Sequence, residues 1–509
     1  MDEKLVYGKY VIIDPDTYIE SGAVLVRSGR VVETGKYSDL RKDHPEAEEI
    51  GSESHMVLPG FIDAHDHGKG LTDFQRGHLD DTLETWKFRS YPPVDLYSDT
   101  LWNAVKHLEA GVTTTMHNHD LKEPHTHMEE FNTVLDAYEE AGINVAFAPS
   151  ISNRNWFVYG DNEAFVDGLP ENLRRICRKR MEASTVFGPE EYLKAVDSLY
   201  KKRAGNKVRI MHGPVSPQWV DEETLKRIRR DATEKAIPIH IHVQQTQLQK
   251  LYGFKQYGKS LIAYLEDLGF LGPDVTLGHA VWVSREDIDR IAGTGSSVTH
   301  HAACNLRVRN GISPVYAMLE KGIRVGIGMD DKEFGDDKDF IEELRLVSKL
   351  HRNPSHHLDS KHLLPKEVFR MGTLNGAASL DFEGEIGTLH KGLRADIVLL
   401  DITRAAEPFV SPGQSPVDLL VYRCGTRDVD KVLVDGKMVV DKGRAVHVDR
   451  DRVAAALREA FTKEYEADLE EMNVQWRQLR PHIVQWFEGW YKEIEDFGVE
   501  PFYHLNNKT

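Results

Sequence analysis

Cysteine is scarce in this chain: Cys177, Cys304 and Cys424 are the only three in 509 residues. They are too few and too scattered for a disulfide framework or a thiolate zinc site, so a reduced, cytoplasmic setting is the simplest expectation. Long apolar runs are missing as well. No stretch approaches the roughly 18 residues of a membrane span, and the opening MDEKLVYGKY carries no basic-then-apolar leader. Positive charge is in deficit. A net charge of −18 argues against nucleic acid or an anionic membrane as the main partner. Repeats and low-complexity stretches are not visible. What is present is 40% hydrophobic and 29% charged residues, an ordinary soluble composition long enough for more than one domain. A small molecule is then the expected partner. Histidine, at 24 residues, is plentiful, and its placement matters more than its number.

The two ends of the chain read as β-rich. KYVIID and GAVLVRSGRVVETG open it, with Ser28-Gly29 suggesting a hairpin. ADIVLLD (395–401) and DKVLVDGKMVVDKG (430–443) close it, with Asp435-Gly436 as a tight-turn signal. Residues 1–56 and 390–447 are therefore expected to build one small β-sandwich around an insertion. Within 57–389, eight short apolar runs alternate with helical stretches such as 221–236 and 314–322. The runs cover 57–65, 112–119, 143–150, 207–214, 237–243, 275–280, 296–304 and 323–331. Alternation implies a parallel sheet, and eight repeats imply an α/β fold of the (β/α)8 barrel type. Residues 448–509 read as a helical tail, with Leu457, Phe461, Tyr465, Leu469, Met472 and Trp476 on one stripe. The tail is expected to pack on its own barrel or on a neighbouring subunit of a homo-oligomer, or else to lid the site.

Polar residues cluster at the C-terminal ends of the runs, the end where such barrels build active sites. His65 and His67 end the first run, His242 the fifth, His279 the sixth and Asp330 the eighth. Alternate residues of a strand share a face, so His65 and His67 point together and Asp66 points away. Imidazole and carboxylate suit zinc or ferrous iron better than calcium or magnesium. A lone HxH pair is easily chance in a chain this rich in histidine. Five such groups at strand ends of one predicted barrel are much harder to explain that way.

At these residues the chain resembles the amidohydrolase superfamily. VLPGFIDAHDH is similar to its opening signature, HIHVQQT to its fifth-strand histidine motif and GIGMDD to its eighth-strand aspartate motif. SSVTHHAACNLRVRNGISPV and the terminal β-runs fit the same pattern over roughly residues 5–447. The nearest branch holds guanine deaminase, adenosylhomocysteine deaminase and the triazine hydrolases. The resemblance implies one divalent metal, zinc or iron(II), held by His65, His67, His242 and Asp330. It implies Asp330 as the base toward the attacking water and His279 as the group that orients it. The C-terminal end of the fourth strand, in KVRIMHGP, carries no lysine or glutamate to serve as the usual bridge of a binuclear site, so a single metal is expected.

One departure concerns the reaction itself. Deaminases of the branch carry H-x-x-E on strand five, and the glutamate shuttles a proton. Here Gln245 takes that place and cannot ionise, though it can hydrogen-bond a ring nitrogen or amide. The expected activity is hydrolysis of a C–N bond on a cyclic or aromatic small molecule, by deamination or amide cleavage through metal hydroxide. The alternative is displacement of chloride or another good leaving group, which needs no proton. A non-catalytic relative is disfavoured by the complete ligand set. His117, His119 and His212 are expected to touch substrate, with Asn305 as a further contact, and Trp156, Phe157 and Tyr159 are expected either to stack on a flat ring or to pack the loop. His117 and His119 could equally be polar residues of the barrel mouth. Cys304 is read as small and buried, not nucleophilic.

Overall fold

Short apolar segments bounded by turns produce the strands of this computed structural model, which describes residues 3–184, 186–352 and 361–496. Eight of them run parallel in two sheets. The first sheet holds Phe61–Asp63, Val112–His119, Asn144–Ile151 and Val208–Ile210; the second holds Ile239–Val243, Val275–His279, Ser297–His300 and Val325–Ile327. Both seams are hydrogen-bonded. The His240 N–H donates to the His212 carbonyl at 2.8 Å, and the Ala64 N–H to the Ile327 carbonyl at 2.8 Å. The eight expected runs thus become barrel strands one to eight, with helices such as Glu222–Lys235 and Val315–Glu320 between them. Ile62, Met116, Ala146 and Met211 fill the interior, and the segment Ala377–Ile386 plugs it from below.

Strands one and eight approach closely. A Cβ on Gly328 would lie 2.7 Å from the Cβ of His65 and 2.8 Å from its backbone nitrogen. Only glycine fits there, so the second glycine of GIGMDD sets the distance between the two ends of the site.

Strands from both termini form one eight-stranded sheet, in which Glu48–Pro59 lies between Glu3–Asp14 and Ile397–Asp401. The hairpins turn where expected. Ser28 and Gly29 both have positive φ (51° and 77°), as do Asp435 and Gly436 (49° and 68°), which suits two-residue turns between twisted strands.

The tail departs from its expected form. Its stripe is split between two helices, Arg450–Glu459 and Lys463–Asp496. The Thr462 hydroxyl accepts the Tyr465 N–H at 3.2 Å, so a side chain starts a new helix where periodicity alone runs on. The long helix packs on its own barrel. Phe487 is 2% exposed against Tyr159, and Arg480 pairs with Asp81 at 2.7 Å. Residues 497–509 of the expected tail lie outside the described residues.

Candidate active site

The C-terminal ends of strands one, five and eight bring four donor atoms together. Asp330 Oδ1 lies 3.2 Å from Nε2 of His65 and 3.2 Å from Nε2 of His67. His242 Nε2 lies 3.2 Å from His65 Nε2. The backbone is bent to do this: Asp330 has φ 59° and His279 has φ 69°. Such conformations cost on the order of 1–3 kcal/mol each in a non-glycine residue and persist only where the surroundings enforce them. Here the Asp330 N–H donates to the His65 carbonyl at 2.9 Å, tying the two strand ends.

Hydrogen bonds behind the rings aim the nitrogens. His67 Nδ1–H donates to the Asn118 carbonyl (2.9 Å) and His242 Nδ1–H to the Val215 carbonyl (2.7 Å). A carbonyl only accepts, so both rings keep a proton on Nδ1 and turn Nε2 to the centre, as an open lone pair wherever the ring is neutral. His65 sets Nδ1 against His240 Nε2 at 2.8 Å, and a proton kept there leaves its Nε2 open as well. Burial, then the neighbouring imidazoles, hold His242 well below the usual histidine range; burial also lowers His65 against the pull of Asp330. Both are therefore neutral, as metal ligation requires. Burial opposes charge on His67, but its hydrogen bond to Asp330 and the charge of Asp120 raise it to about 9, so a metal ion at this nitrogen would displace a proton. Burial likewise opposes ionisation of Asp330, and the surrounding histidines overcome it and hold the carboxyl well below its usual range.

Three separations within the donor set suit a tetrahedral ion. Bonds of about 2.0–2.1 Å to nitrogen or oxygen place tetrahedral ligands about 3.3 Å apart, close to the 3.2 Å separations seen. One carboxylate cluster nearby is already filled: Lys338 Nζ sits 2.6 Å from Asp66, 2.9 Å from Asp331 and 2.6 Å from Glu333. Asp66 thus serves that ion-pair cluster and stands 3.5 Å from His107 Nε2, apart from the four converging donors.

Three further residues address Asp330 Oδ2. Cys304 Sγ donates to it at 2.8 Å, His301 Nδ1 lies 3.5 Å away and His279 Nε2 lies 3.6 Å away. Asn305 Oδ1 accepts from His279 Nδ1 at 3.0 Å, which leaves the His279 Nε2 lone pair facing the site. Burial, then the Asp330 charge, raises the Cys304 thiol well above its usual range, so it stays protonated. Sequence reasoning missed His301. Its signal was the second histidine of the HH pair at the end of strand seven.

A cavity of about 90 Å³ opens beside the donor cluster. His67, His242, Gln245, His279 and Asp330 line it, together with Trp86, Lys87, Asp120, Trp219 and Lys332. An outer cleft of about 550 Å³ shares Lys87, Asp120 and Val215 with it and carries Trp156 on its wall. His117, His119 and His212 are not on either wall. His117 hydrogen-bonds Tyr138 (3.1 Å) and His119 bonds Glu130 (2.7 Å), both on the helix His127–Ala141. The two do share a face, but it is the helix-facing side, because Met116 takes the inward position. His212 likewise turns outward to Tyr192 and Asp231. Asn305 stands behind His279 and off the cavity wall.

The model of the amidohydrolase family matches residues 56–439. The chain belongs to the amidohydrolase family. Residues 22–47, in the terminal sheet, match an imidazolonepropionase-like composite domain of bacteria. Among relatives of this amidohydrolase, a 5'-deoxyadenosine deaminase of Methanosarcina barkeri is 28% identical over 464 residues, 89% of this chain and 96% of the relative. Among solved structures, an adenosine deaminase of Xanthomonas campestris with bound zinc superposes with a TM-score of 0.75 at 21% identity, covering 92% of this chain and 98% of the other. Atrazine chlorohydrolase of Arthrobacter aurescens complexed with zinc gives 0.74 at 23% identity, covering 89% and 99%. The structural likeness establishes the barrel fold. The resemblance read from VLPGFIDAHDH, HIHVQQT and GIGMDD is borne out, and with it the reading of the chain as a hydrolase.

Proposed function

We propose that this amidohydrolase hydrolyses a carbon–nitrogen bond at a ring carbon of a cyclic or aromatic small molecule, with a 5'-substituted adenine nucleoside as the first candidate. The observation that carries the reading is the convergence of Nε2 of His65, His67 and His242 with Asp330 Oδ1, with His65 and His67 each 3.2 Å from Asp330 and His242 3.2 Å from His65. These four residues would hold one divalent ion, zinc or iron(II). Such an ion supplies Lewis acidity and makes water nucleophilic at neutral pH.

The chain's own groups do the rest. Asp330, held ionised, accepts the proton of the attacking water. His279, with Nδ1–H engaged by Asn305, accepts through Nε2 and so orients that water. Gln245 lines the cavity and holds a ring nitrogen or amide by hydrogen bonds. The cavity of about 90 Å³ suits the reacting edge of a ring. The outer cleft, with Trp156, takes the remainder of the molecule.

Gln245 favours a second reading, displacement of chloride, which leaves without a proton. A panel of aminopurine nucleosides, cyclic amides and chlorotriazines, assayed for ammonia and chloride release, separates the two. Ammonia release from an aminoheterocycle supports the first; chloride release alone supports the second.

The domain reading goes with this proposal: barrel at 57–389, terminal halves at 1–56 and 390–447, tail from 448. Strand Glu48–Pro59 carries the terminal sheet three residues past the first boundary. We read that sheet as the expected sandwich because Val24 and Leu25 belong to separate apolar clusters on its two sides. A cytoplasmic homo-oligomer acting on a small molecule is part of the same reading. Three free, buried cysteines support the reducing compartment. Exposed Phe74, Leu79 and Phe334 support an interface. No described helix is long and apolar enough to cross a membrane.

A further inference from the structure

Breaking a C–N bond leaves an electron pair on nitrogen, and the nitrogen needs a proton to depart. Asp330 receives a proton from water while it serves as base. Gln245 lies in the cavity but has no proton to give at neutral pH. The cavity wall holds two ammonium groups, Lys87 and Lys332. Lys332 is committed: it is ion-paired to Asp73 and stands 4.4 Å over the Trp86 ring. Lys87 is not ion-paired to any carboxylate among the described residues. Its Nζ stands 3.5 Å over the ring of Trp219, a contact that places a cation without taking its protons.

We propose that Lys87 is the proton donor to the leaving nitrogen. This rests on the function proposed above and deepens it. Lys87 follows the short helix Leu83–Trp86, whose Leu83 and Trp86 line the same cavity as Gln245, His279 and Asp330. The long C-terminal helix holds that segment in place: Trp476 Nε1 donates to the Thr85 carbonyl at 3.2 Å, and Arg480 pairs with Asp81. The charges that face Lys87 are Asp120 across the cavity, Lys332, and the donor cluster, with Lys122, Arg154 and Arg180 in the outer cleft. Burial pulls the Lys87 ammonium down to about 7, with Asp120 opposing, so it can release a proton in the neutral range.

The protons balance. A water oxygen bonds the ring carbon, and the proton it gives Asp330 passes to the ring nitrogen. The C–N bond breaks with its pair on nitrogen, and Lys87 supplies the proton that completes ammonia. The remaining hydroxyl proton leaves as the carbonyl forms and restores the Lys87 ammonium through solvent. A chloride leaving group skips the Lys87 step, so the proposal separates the two leaving groups.

The test uses the zinc-loaded full chain with 5'-deoxyadenosine and its 6-chloro analogue. Lys87→Met and Lys87→Arg should each lower ammonia release at least 100-fold, within the span of general acid catalysis, and lower chloride release less than tenfold. Gln245→Glu added to Lys87→Met should restore ammonia release at least tenfold. Independently of turnover, NMR of 13Cε-lysine-labelled protein should show one ammonium titrating near pH 7 that Lys87→Met removes. Equal losses with both leaving groups would assign Lys87 to substrate binding and overturn the proposal, as would unchanged ammonia release or a Lys87 ammonium still charged at pH 9. A wild-type protein inactive on both probes would overturn the proposed function and this step with it. Activity on both with indifferent Lys87 variants overturns this step alone.

Discussion

His242 Nε2 lies 3.2 Å from His65 Nε2, and with the proton of each ring on Nδ1 neither nitrogen has one to offer the other. His242 spends its ring proton on Val215, and His65 sets its Nδ1 toward His240. Two lone pairs at that distance repel unless a cation lies between them. His65→Ala or His242→Ala should therefore reduce bound metal below about 0.2 equivalents per chain, against one in the wild type, by elemental analysis. Metal retained at one equivalent in either variant would remove that residue from the ligand set.

Asp330 is predicted to be base as well as ligand. Asp330→Asn should lower kcat by at least about 100-fold, the lower end of what general base catalysis contributes. Circular dichroism should remain native. Normal turnover in this variant would place the base elsewhere.

Cys304 touches Asp330 without being a nucleophile. Its thiol is raised by burial and by the Asp330 charge, so the reactive thiolate is not populated at neutral pH. Native protein exposed to iodoacetamide at pH 7.5 should remain unmodified at Cys304 by peptide mass mapping. Cys304→Ser, which keeps a donor to Asp330 Oδ2, should retain kcat within about tenfold. Rapid alkylation coupled to loss of activity would contradict this account.

Glu343 gives stability a pH dependence with a defined sign. Burial raises its carboxyl to about 8, against the N–H groups of Ala303 and Ala302. In the unfolded chain it titrates near 4.3. The folded state thus keeps a proton that the unfolded chain releases, a contribution fully present below the unfolded value and lost as pH rises through about 8. Glu343→Gln imitates the neutral acid, so its melting temperature should gain on the wild type between about pH 5 and 8 and then hold level. A difference independent of pH would show Glu343 to be ionised throughout.

The C-terminal helix is predicted to support the cavity. Phe487 is buried against Tyr159, and truncating a buried phenylalanine costs about 3–5 kcal/mol. Phe487→Ala should lower the melting temperature and raise KM together, because the same helix grips the segment carrying Trp86 and Lys87. A lowered melting temperature with unchanged KM would confine the helix to a structural part.

Local patterns made much of this legible in the sequence. Ser28-Gly29 and Asp435-Gly436 marked their turns because positive φ selects those residues. The eight apolar runs became strands because buried parallel strands read as continuous apolar segments. His65, His67, His242 and Asp330 stood out because each ends a run. The orientation of His117 and His212 was not legible: period two pairs residues on a face but does not say whether that face meets the barrel interior or the helices. Lys87 follows a short helix with no periodic signal, and only the fold sets it over Trp219. The break between the tail helices depends on one Thr462 hydroxyl, which periodicity cannot see.

The metal content of the purified full chain tests the central claim most directly. Elemental analysis should find close to one equivalent of zinc or iron per chain, and chelation should abolish hydrolysis that either ion restores. A chain that contains no metal and takes up neither ion on addition would contradict the account.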